Sequence, residues 1–406
     1  MKRIATCALL ALLALLACAS SCSSHAGLHD VAVASLTSAD SVIAVRLSNA
    51  SVLSGGVPRP SRGYTAFLAE DGTGSIASTG GIRGSIVQWT PAGAFFASAA
   101  DEYVSTDSGT TRTPRDARQQ YEIGRYPLSN GGTAPFYVDS ANQPLYTVAP
   151  DGSSTRTNNI GLFQNNGQCG DRIMSLTETQ HSTDLESSAA EADASAHPFD
   201  PMPDSFDLLV ELSGHDGDLP TVVGVSQRDE TLESGQQMFA CDGSSVVIPT
   251  LARTHPDASR ENGLDPADGR LVLQSWDLST GTRTITPVTT SEGDPIDLSR
   301  SREVHLSQGI LVGREYRFVS ARGDVYTVNI DTAVGRYVGS IGAQQGEERT
   351  VFQATERGVY ALTTSPQDLR VTLTRHPWDG GQEQTVLSTA DLAPYLAGNL
   401  LTDSLS

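Results

Sequence analysis

Lysine is nearly missing from this chain. Lys2 is the sole example, so every later fixed cation is an arginine. Together the 27 basic residues face 47 acids, for a formal charge of −20, or −22 once Lys2 and Arg3 are discounted. A surface this acidic repels polyanions, because nucleic-acid binding depends on neutralising phosphates with Lys and Arg. Nucleic-acid partners are excluded on that ground. Long apolar runs are missing too: the longest, from Ala8 to Ala17, is about half of the roughly 20 residues a spanning helix needs. Charged residues are 18% and aromatics 6% of the chain. Neither Cys169 nor Cys241, the two cysteines in the body of the chain, belongs to a C-x-x-C pair or a Cys/His cluster, which argues against a zinc site there. There is also no Gly-x-Ser-x-Gly elbow, no His-Glu-x-x-His and no phosphate-cradling Gly-Lys-Thr loop.

What is present begins with an export signal. Lys2 and Arg3 precede the short apolar run and small residues follow it, the layout of a cleaved secretory segment. Leu15-Leu16-Ala17-Cys18 resembles a bacterial lipobox. That resemblance implies that residues 1–17 are removed and that the Cys18 sulfur carries diacylglycerol. Residues 18–40 then form a Ser-rich tether, and the protein is exported and held on the outer side of the cell membrane. Cys22 is the rival, but it lacks a Leu three residues before it. An ordinary cleaved signal is the alternative. With Cys7 in the signal and Cys22 in the tether, Cys169 and Cys241 remain in the body of the chain. Two lone body cysteines in an exported protein are expected to pair, and a bridge closing so long a loop contributes a few kcal/mol.

Length alone suggests two or three domains, yet one pattern recurs throughout. Ser85–Ser98, Pro144–Asn158, Leu271–Val288, Asp324–Ile341 and Gly358–Thr374 each hold two alternating apolar segments around a turn of Asp, Asn, Pro or Gly. Period-two alternation of this kind predicts β-hairpins, and their recurrence predicts repeated antiparallel sheets. "GDVYTVNIDTAVGRYV", "ERGVYAL" and "SWDLSTGTRTI" resemble the repeats of quinoprotein-type and WD-repeat-like β-propellers. The resemblance implies an all-β fold over 41–390: a single β-propeller of about seven four-stranded blades, with 391–406 as a C-terminal tail. Six or eight blades, or tandem β-sandwiches, are the alternatives. Ring closure is expected to bring Ser41–Leu47 into or next to the blade that holds Glu383–Thr389, since a bare strand edge recruits other chains.

One stretch departs from the pattern. From Ile173 to Gln227 there are eleven acids and no Lys or Arg. Its middle, about 180–205, is rich in Ala, Ser and acid, and is expected to be a mobile surface insertion with too little apolar content to fix its backbone. Deleting Ser182 to Asp204 is then expected to leave the thermal midpoint nearly unchanged. The rival is a cation- or partner-binding loop. His215-Asp216-Gly217-Asp218 lacks calcium-loop spacing and reads as a turn. "STDSGTTR", Ser105 to Arg112, partly matches the Asp-box of sialidase-type propellers, itself a turn element. His197, His255 and His376 precede Pro, a turn setting. His305 reads as a strand residue, and Asp265 with Asp268 as loop charges. Trp89, Trp276 and Trp378 end strands and are expected to pack between blades.

No catalytic residue, metal ligand or cofactor is assignable. The expected role is a monomeric, non-catalytic binding or scaffolding protein at the cell envelope. Its partners are the bilayer, through the lipid, and an envelope protein or glycan. A propeller enzyme acting on envelope or extracellular polysaccharide is the alternative, because carboxylates from several blades can converge on a central channel.

Overall fold

The computed structural model describes residues 27–49, 62–138, 142–163, 165–196, 205–232, 239–253, 269–296, 306–320, 322–341, 349–396 and 400–405. Cys18, Cys22, His197, His255, Asp265, Asp268 and His305 lie outside the described residues.

The hairpins assemble into seven antiparallel blades. Blade 1 combines β1 (Leu28–Asp30), β2 (Ile43–Asn49), β3 (Gly63–Leu68) and β4 (Gly74–Ser78) with a strand from the far end of the chain. Blade 2 is β5 (Gln88–Thr90), β6 (Gly93–Ala97), β7 (Asp101–Thr106) and β8 (Gly109–Pro114). Blade 3 is β9 (Tyr121–Pro127), β10 (Thr133–Val138), β11 (Leu145–Val148) and β12 (Ser154–Thr157). Blade 4 is β13 (Asn165–Cys169), β14 (Arg172–Glu178), β15 (Phe206–Glu211) and β16 (Thr221–Gln227), with helix α1 (Glu186–Ala196) between its second and third strands. Blade 5 is β17 (Ala240–Cys241), β18 (Ser245–Arg253), β19 (Gly269–Asp277) and β20 (Arg283–Pro287). Blade 6 is β21 (Leu306–Val312), β22 (Glu315–Ser320), β23 (Asp324–Asn329) and β24 (Gly335–Ser340). Blade 7 is β25 (Arg349–Thr355), β26 (Gly358–Thr364), β27 (Val371–His376) and β28 (Gln384–Thr389). A short helix, α2 (Ala393–Leu396), leads to β29 (Leu400–Leu405).

First strands of successive blades touch one another from β5 to β29, so they line the centre of the ring and the fourth strands form its rim. The chain is therefore a seven-bladed β-propeller, and sandwiches are ruled out by the ring. Both faces of most strands are apolar because each blade is packed between two neighbours. Tyr316, Phe318, Tyr326 and Val328 fill the seam between blades 5 and 6 with Leu251, Leu271 and Leu273. Phe67, Phe96, Tyr103 and Trp89 fill the seam between blades 1 and 2.

Closure differs from expectation in its strand. Ile43, Val45 and Leu47 of β2 share a core with Leu373 and Leu387, so Ser41–Leu47 lies in the blade next to the one that holds Glu383–Thr389. The seal itself is β29, which pairs antiparallel with β2, from Val45↔Leu405 to Asn49↔Leu400. The stretch 391–406, expected as a tail, thus supplies the innermost strand of blade 1. At the opposite margin of that blade, β1 pairs in parallel with β4, Leu28 facing Gly74.

Strand alternation gives the ring two unlike ends. From β2 onward, all connections of twelve residues or more (50–62, 179–205, 228–239, 254–268 and 288–305) leave the end where the inner strands begin. We term this the loop end. The other, the turn end, has over the same span only short connections, of nine residues or fewer, and in several of them a side chain caps the backbone. Asp71, Asp151 and Asp277 each accept the N–H and hydroxyl of the residue two positions on. These bonds hold their carboxyls below the ordinary aspartate range.

Candidate interaction surface

The acidic stretch is the largest departure from expectation, because residues 179–196 are folded. Two 3-10 turns, Thr179–His181 and Thr183–Leu185, lead into α1. Leu185 and Ala189 are 2% and 0% exposed and join Phe163, Phe206, Leu208 and Val210 in the seam between blades 3 and 4. Asp193 continues the same buried stripe, four residues on. This i, i+4, i+8 row is a helix face, short of large side chains yet sufficient to dock the helix against β15 and β16. Composition concealed it, because two small residues and one leucine make up the whole contact.

Around its base, carboxylates are held by arginines from elsewhere. Glu178 and Asp207 are cross-strand partners on β14 and β15, a like-charge pair that destabilises a sheet unless neutralised. Arg228 Nη1 reaches Glu178 Oε2 at 3.0 Å. Arg283, from blade 5, binds Asp207 and also donates to the Gln227 carbonyl at 2.5 Å. Burial pushes the Asp207 carboxyl up, against the pull of Arg283. Beside this network lies a groove of about 540 Å³ between blades 4 and 5, lined by Ala192 of α1, Val222 to Gln227 of β16, and Thr280 to Arg283. Its floor is close-packed: a Cβ on Gly224 would stand 2.6 Å from the Gly281 carbonyl and 2.8 Å from Trp276.

A second charged cluster is internal. Glu102 on β7 accepts from Arg115 Nη1 at 2.5 Å and from Arg125 Nη2 at 3.0 Å, and Tyr137 donates its hydroxyl to the same carboxylate. Arg125 Nε binds Glu122 at 2.6 Å, while the Ile86 N–H donates to the other Glu122 oxygen at 3.2 Å. The acidic and basic side chains here are at most 1% exposed. Two carboxylates against two guanidiniums balance in charge. Burial pushes the Glu122 carboxyl and the Tyr137 phenol up. Sealed from solvent, the cluster locks blade 2 to blade 3. Arg46 has a similar role in the seam of blades 1 and 2: it is 0% exposed and donates to Ser85, Thr65, Thr79 and the carbonyls of Gly80 and Ala97. None of these residues was singled out from the sequence. The signal was present as charges inside alternating apolar strands: Glu102 in "DEYVST", Glu122 and Arg125 in "YEIGRYP", and Arg46 in "VIAVRL".

The remaining expected positions fall into plain structural settings. Cys169 and Cys241, at the ends of inner strands β13 and β17, are joined across blades 4 and 5 with their Cα atoms 5.2 Å apart. Trp89, Trp276 and Trp378 all pack in seams between blades. His215 Nε2 meets Asn159 at 2.9 Å, in a turn. His376 is bonded to Thr374 at 2.8 Å, and burial pushes its imidazole down. "STDSGTTR" is the β7–β8 hairpin turn, where Arg112 Nε pairs with Asp101 at 3.0 Å. Among the described residues, no group of three or more His, Cys, Asp or Glu side chains could hold a metal, and no helix is long and apolar enough to cross a membrane.

No protein-family model and no curated protein matches the chain. Solved structures do resemble it in outline. The β-propeller domain of the Trilobed protease from Pyrococcus furiosus is 9% identical with a TM-score of 0.47, over 85% of this chain and 94% of that one. A quinoprotein alcohol dehydrogenase-like protein from Bacteroides thetaiotaomicron is 10% identical with a TM-score of 0.40, over 89% and 93%. BamB from Moraxella catarrhalis is 11% identical with a TM-score of 0.36, over 75% and 76%. Likenesses this distant carry no activity across. The strand pairing itself makes the chain a seven-bladed β-propeller.

Proposed function

We propose that this propeller is an exported, lipid-anchored binding module that holds a partner at the cell envelope rather than transforming a substrate. The observation that carries the reading is the asymmetry of the ring. Short connections close one end, whereas the other bears the long blade connections and the acidic helix. Loops carried on a rigid scaffold are where binding residues concentrate. The charged clusters of the seams are spent on holding blades together, as the enclosed Glu102–Arg115–Arg125–Glu122 set illustrates. An extracytoplasmic setting agrees with the Cys169–Cys241 bridge, since disulfides persist in oxidising compartments. The anchor is Cys18, and the partner is an envelope protein or glycan.

Photo-cross-linking in cells tests the reading. A photoreactive residue at Gln180 or Glu191, on the loop end, should give a discrete adduct. The same residue at Ser108, Ser153 or Ser244, on the turn end, should not. Adducts confined to the turn end, or none from any position, would overturn it. Membrane fractionation tests the anchor: Cys18→Ala should move the protein to the soluble fraction, and retention of that variant would remove the lipid from the proposal.

A further inference from the structure

A seam between blades is filled when the facing sheets present large side chains. The face that blade 6 turns to blade 5 does so: Tyr316, Phe318, Tyr326 and Val328 are all at most 1% exposed. Blade 7 turns the corresponding face toward blade 6, and only part of it is built the same way. Phe352, Val359 and Ala361 pack there with Val319 and Val325. Toward the loop end the same face carries hydroxyls instead. Thr363 lies opposite Thr372 across β26 and β27, and Ala361 lies opposite Thr374. Thr350 of β25 is the partner of Thr363 on its other side. These threonines are half-buried. On the reverse face of the blade, Leu362, Val371 and Leu373 are buried in the core shared with blade 1.

The result is a trough of about 310 Å³ on the flank of blade 7, within the roughly 300–1,000 Å³ of small-molecule sites. Thr372, Thr374 and His376, alternate residues of β27, run along its floor. The Thr350 and Thr363 hydroxyls meet at 3.2 Å, and Thr374 Oγ1 meets His376 Nε2 at 2.8 Å. A hydroxyl has one donor and two acceptor sites, so each pairing leaves much of its capacity for a ligand. Among the described lining residues, charge enters at the two ends. Arg370 Nε stands 3.4 Å from Asp368 at the loop end, and Glu383 stands 3.9 Å from His376 Nδ1 at the other. Ala361 and Ile341 are the apolar lining among the described residues. β26 and β27 are the middle strands of their sheet and are paired on both sides.

We infer that this trough binds a short, neutral oligosaccharide. Sugar hydroxyls both donate and accept, and the threonine row answers them in kind. An anion gains nothing here, because Arg370 is paired with Asp368 and Glu383 repels it. An apolar side chain finds little to fill. A peptide strand finds no open edge on the floor, since the backbones of β26 and β27 are already paired. Ser365, Asp368 and Arg370, in the connection from β26 to β27, bring the trough out at the loop end. The inference rests on the binding-module reading above and narrows it, naming a neutral glycan as what blade 7 holds.

The test uses the purified full chain with maltohexaose, cellohexaose, mannohexaose and N-acetylchitohexaose as neutral probes, and hexagalacturonate as the anionic control. Titration calorimetry should show a neutral probe binding at least tenfold more tightly than hexagalacturonate, with an affinity that added salt leaves unchanged. Thr372→Val with Thr374→Val keeps the side-chain shape and removes two hydroxyls, and should weaken that binding at least tenfold. Thr372→Ser with Thr374→Ser should retain it, as should Thr155→Val on the distant rim strand β12, where the residue is exposed. Amide shifts on titration should fall on β26, β27 and 365–370, a readout that needs no variant. Absence of binding by all four neutral probes, equal binding of hexagalacturonate, an unaffected valine variant, or shifts confined to another blade would overturn the inference. The cross-linking result is separate. Discrete adducts at Gln180 or Glu191 without sugar binding would keep the binding module and remove this site from it. Sugar binding without adducts would keep the trough and remove the blade 4 loops.

Discussion

Removing one member of the sealed Glu102–Arg115–Arg125–Glu122 set leaves an unbalanced charge with no water to solvate it. Arg125→Met should therefore cost about 3–5 kcal/mol, the range for breaking a buried pair from one side. Urea unfolding measures this, and Arg125→Met combined with Glu122→Gln should recover part of the loss, since the orphaned carboxylate is then neutral. Such residues were legible only in hindsight. A charge in the phase of a strand that should be apolar marks a seam, but nothing in the local sequence says which distant arginine meets which carboxylate. Tyrosines make a second residue-level case. Burial, helped by the bond to Asp116, pushes the Tyr146 phenol up to about 12 from 10.0, and burial alone raises Tyr126 and Tyr316. A raised phenol favours the neutral form in the folded chain. Its stabilisation is complete below about pH 10 and is lost as the pH climbs through the folded value. Tyrosinate absorbance should lag behind that of free tyrosine between pH 10 and 12, then rise together with unfolding; ionisation of all the tyrosines near pH 10 with the fold intact would contradict this.

At the level of elements, α1 is where composition and structure part. Ala, Ser and acid over 180–205 predict an unfixed excursion, and that is correct about the solvent face: Glu186, Ser187, Ser188 and Glu191 are exposed. The docked face rests on Leu185, Ala189 and Asp193, too few residues to stand out in a 26-residue average but spaced for one side of a helix. Leu185→Ala should cost about 2–5 kcal/mol as a core truncation. The same spacing reverses the expectation for deleting Ser182 to Asp204, which should lower the thermal midpoint clearly, because it uncovers Phe163, Phe206 and Leu208. Amide exchange across 185–193 gives an independent reading: protection comparable to β15 fits a docked helix, and exchange at the free-peptide rate does not. Hairpins were the legible elements, since period-two alternation survives any change of partner. Their order within blades was not, because every rim strand looks like a half-buried strand from its sequence.

For the whole molecule, closure depends on six residues. Without β29, the inner edge of β2 loses its hydrogen-bonded partner strand. A chain lacking 400–405 should lose about 4 kcal/mol or more, beyond the ordinary range for a single core substitution, and should associate through the bare edge. Sedimentation and urea unfolding together report both effects. "LLTDSL" gave little warning, following Pro394 and a helical turn, and its role follows from topology, which demands an inner strand for blade 1. Cys169 and Cys241, 72 residues apart, pin two inner strands. Reduction should lower stability by about 2–4 kcal/mol, and peptide mapping without reductant should recover the linked pair; two separately alkylated thiols would remove the bridge.

The position of β1 has a bearing on posture. It starts at the turn end, on the outer margin of blade 1, where the Gly27 carbonyl accepts the Gly74 N–H at 2.7 Å. From Cys18 to Gly27 is nine steps of chain, a leash no longer than about 30 Å when taut. Were Cys18 the lipid anchor, as proposed, a disc held by its edge on so short a leash would keep its blunt, capped end toward the lipid and turn its loops to the aqueous side. On that proposal, any ligand of those loops would have to arrive from the space beyond the bilayer.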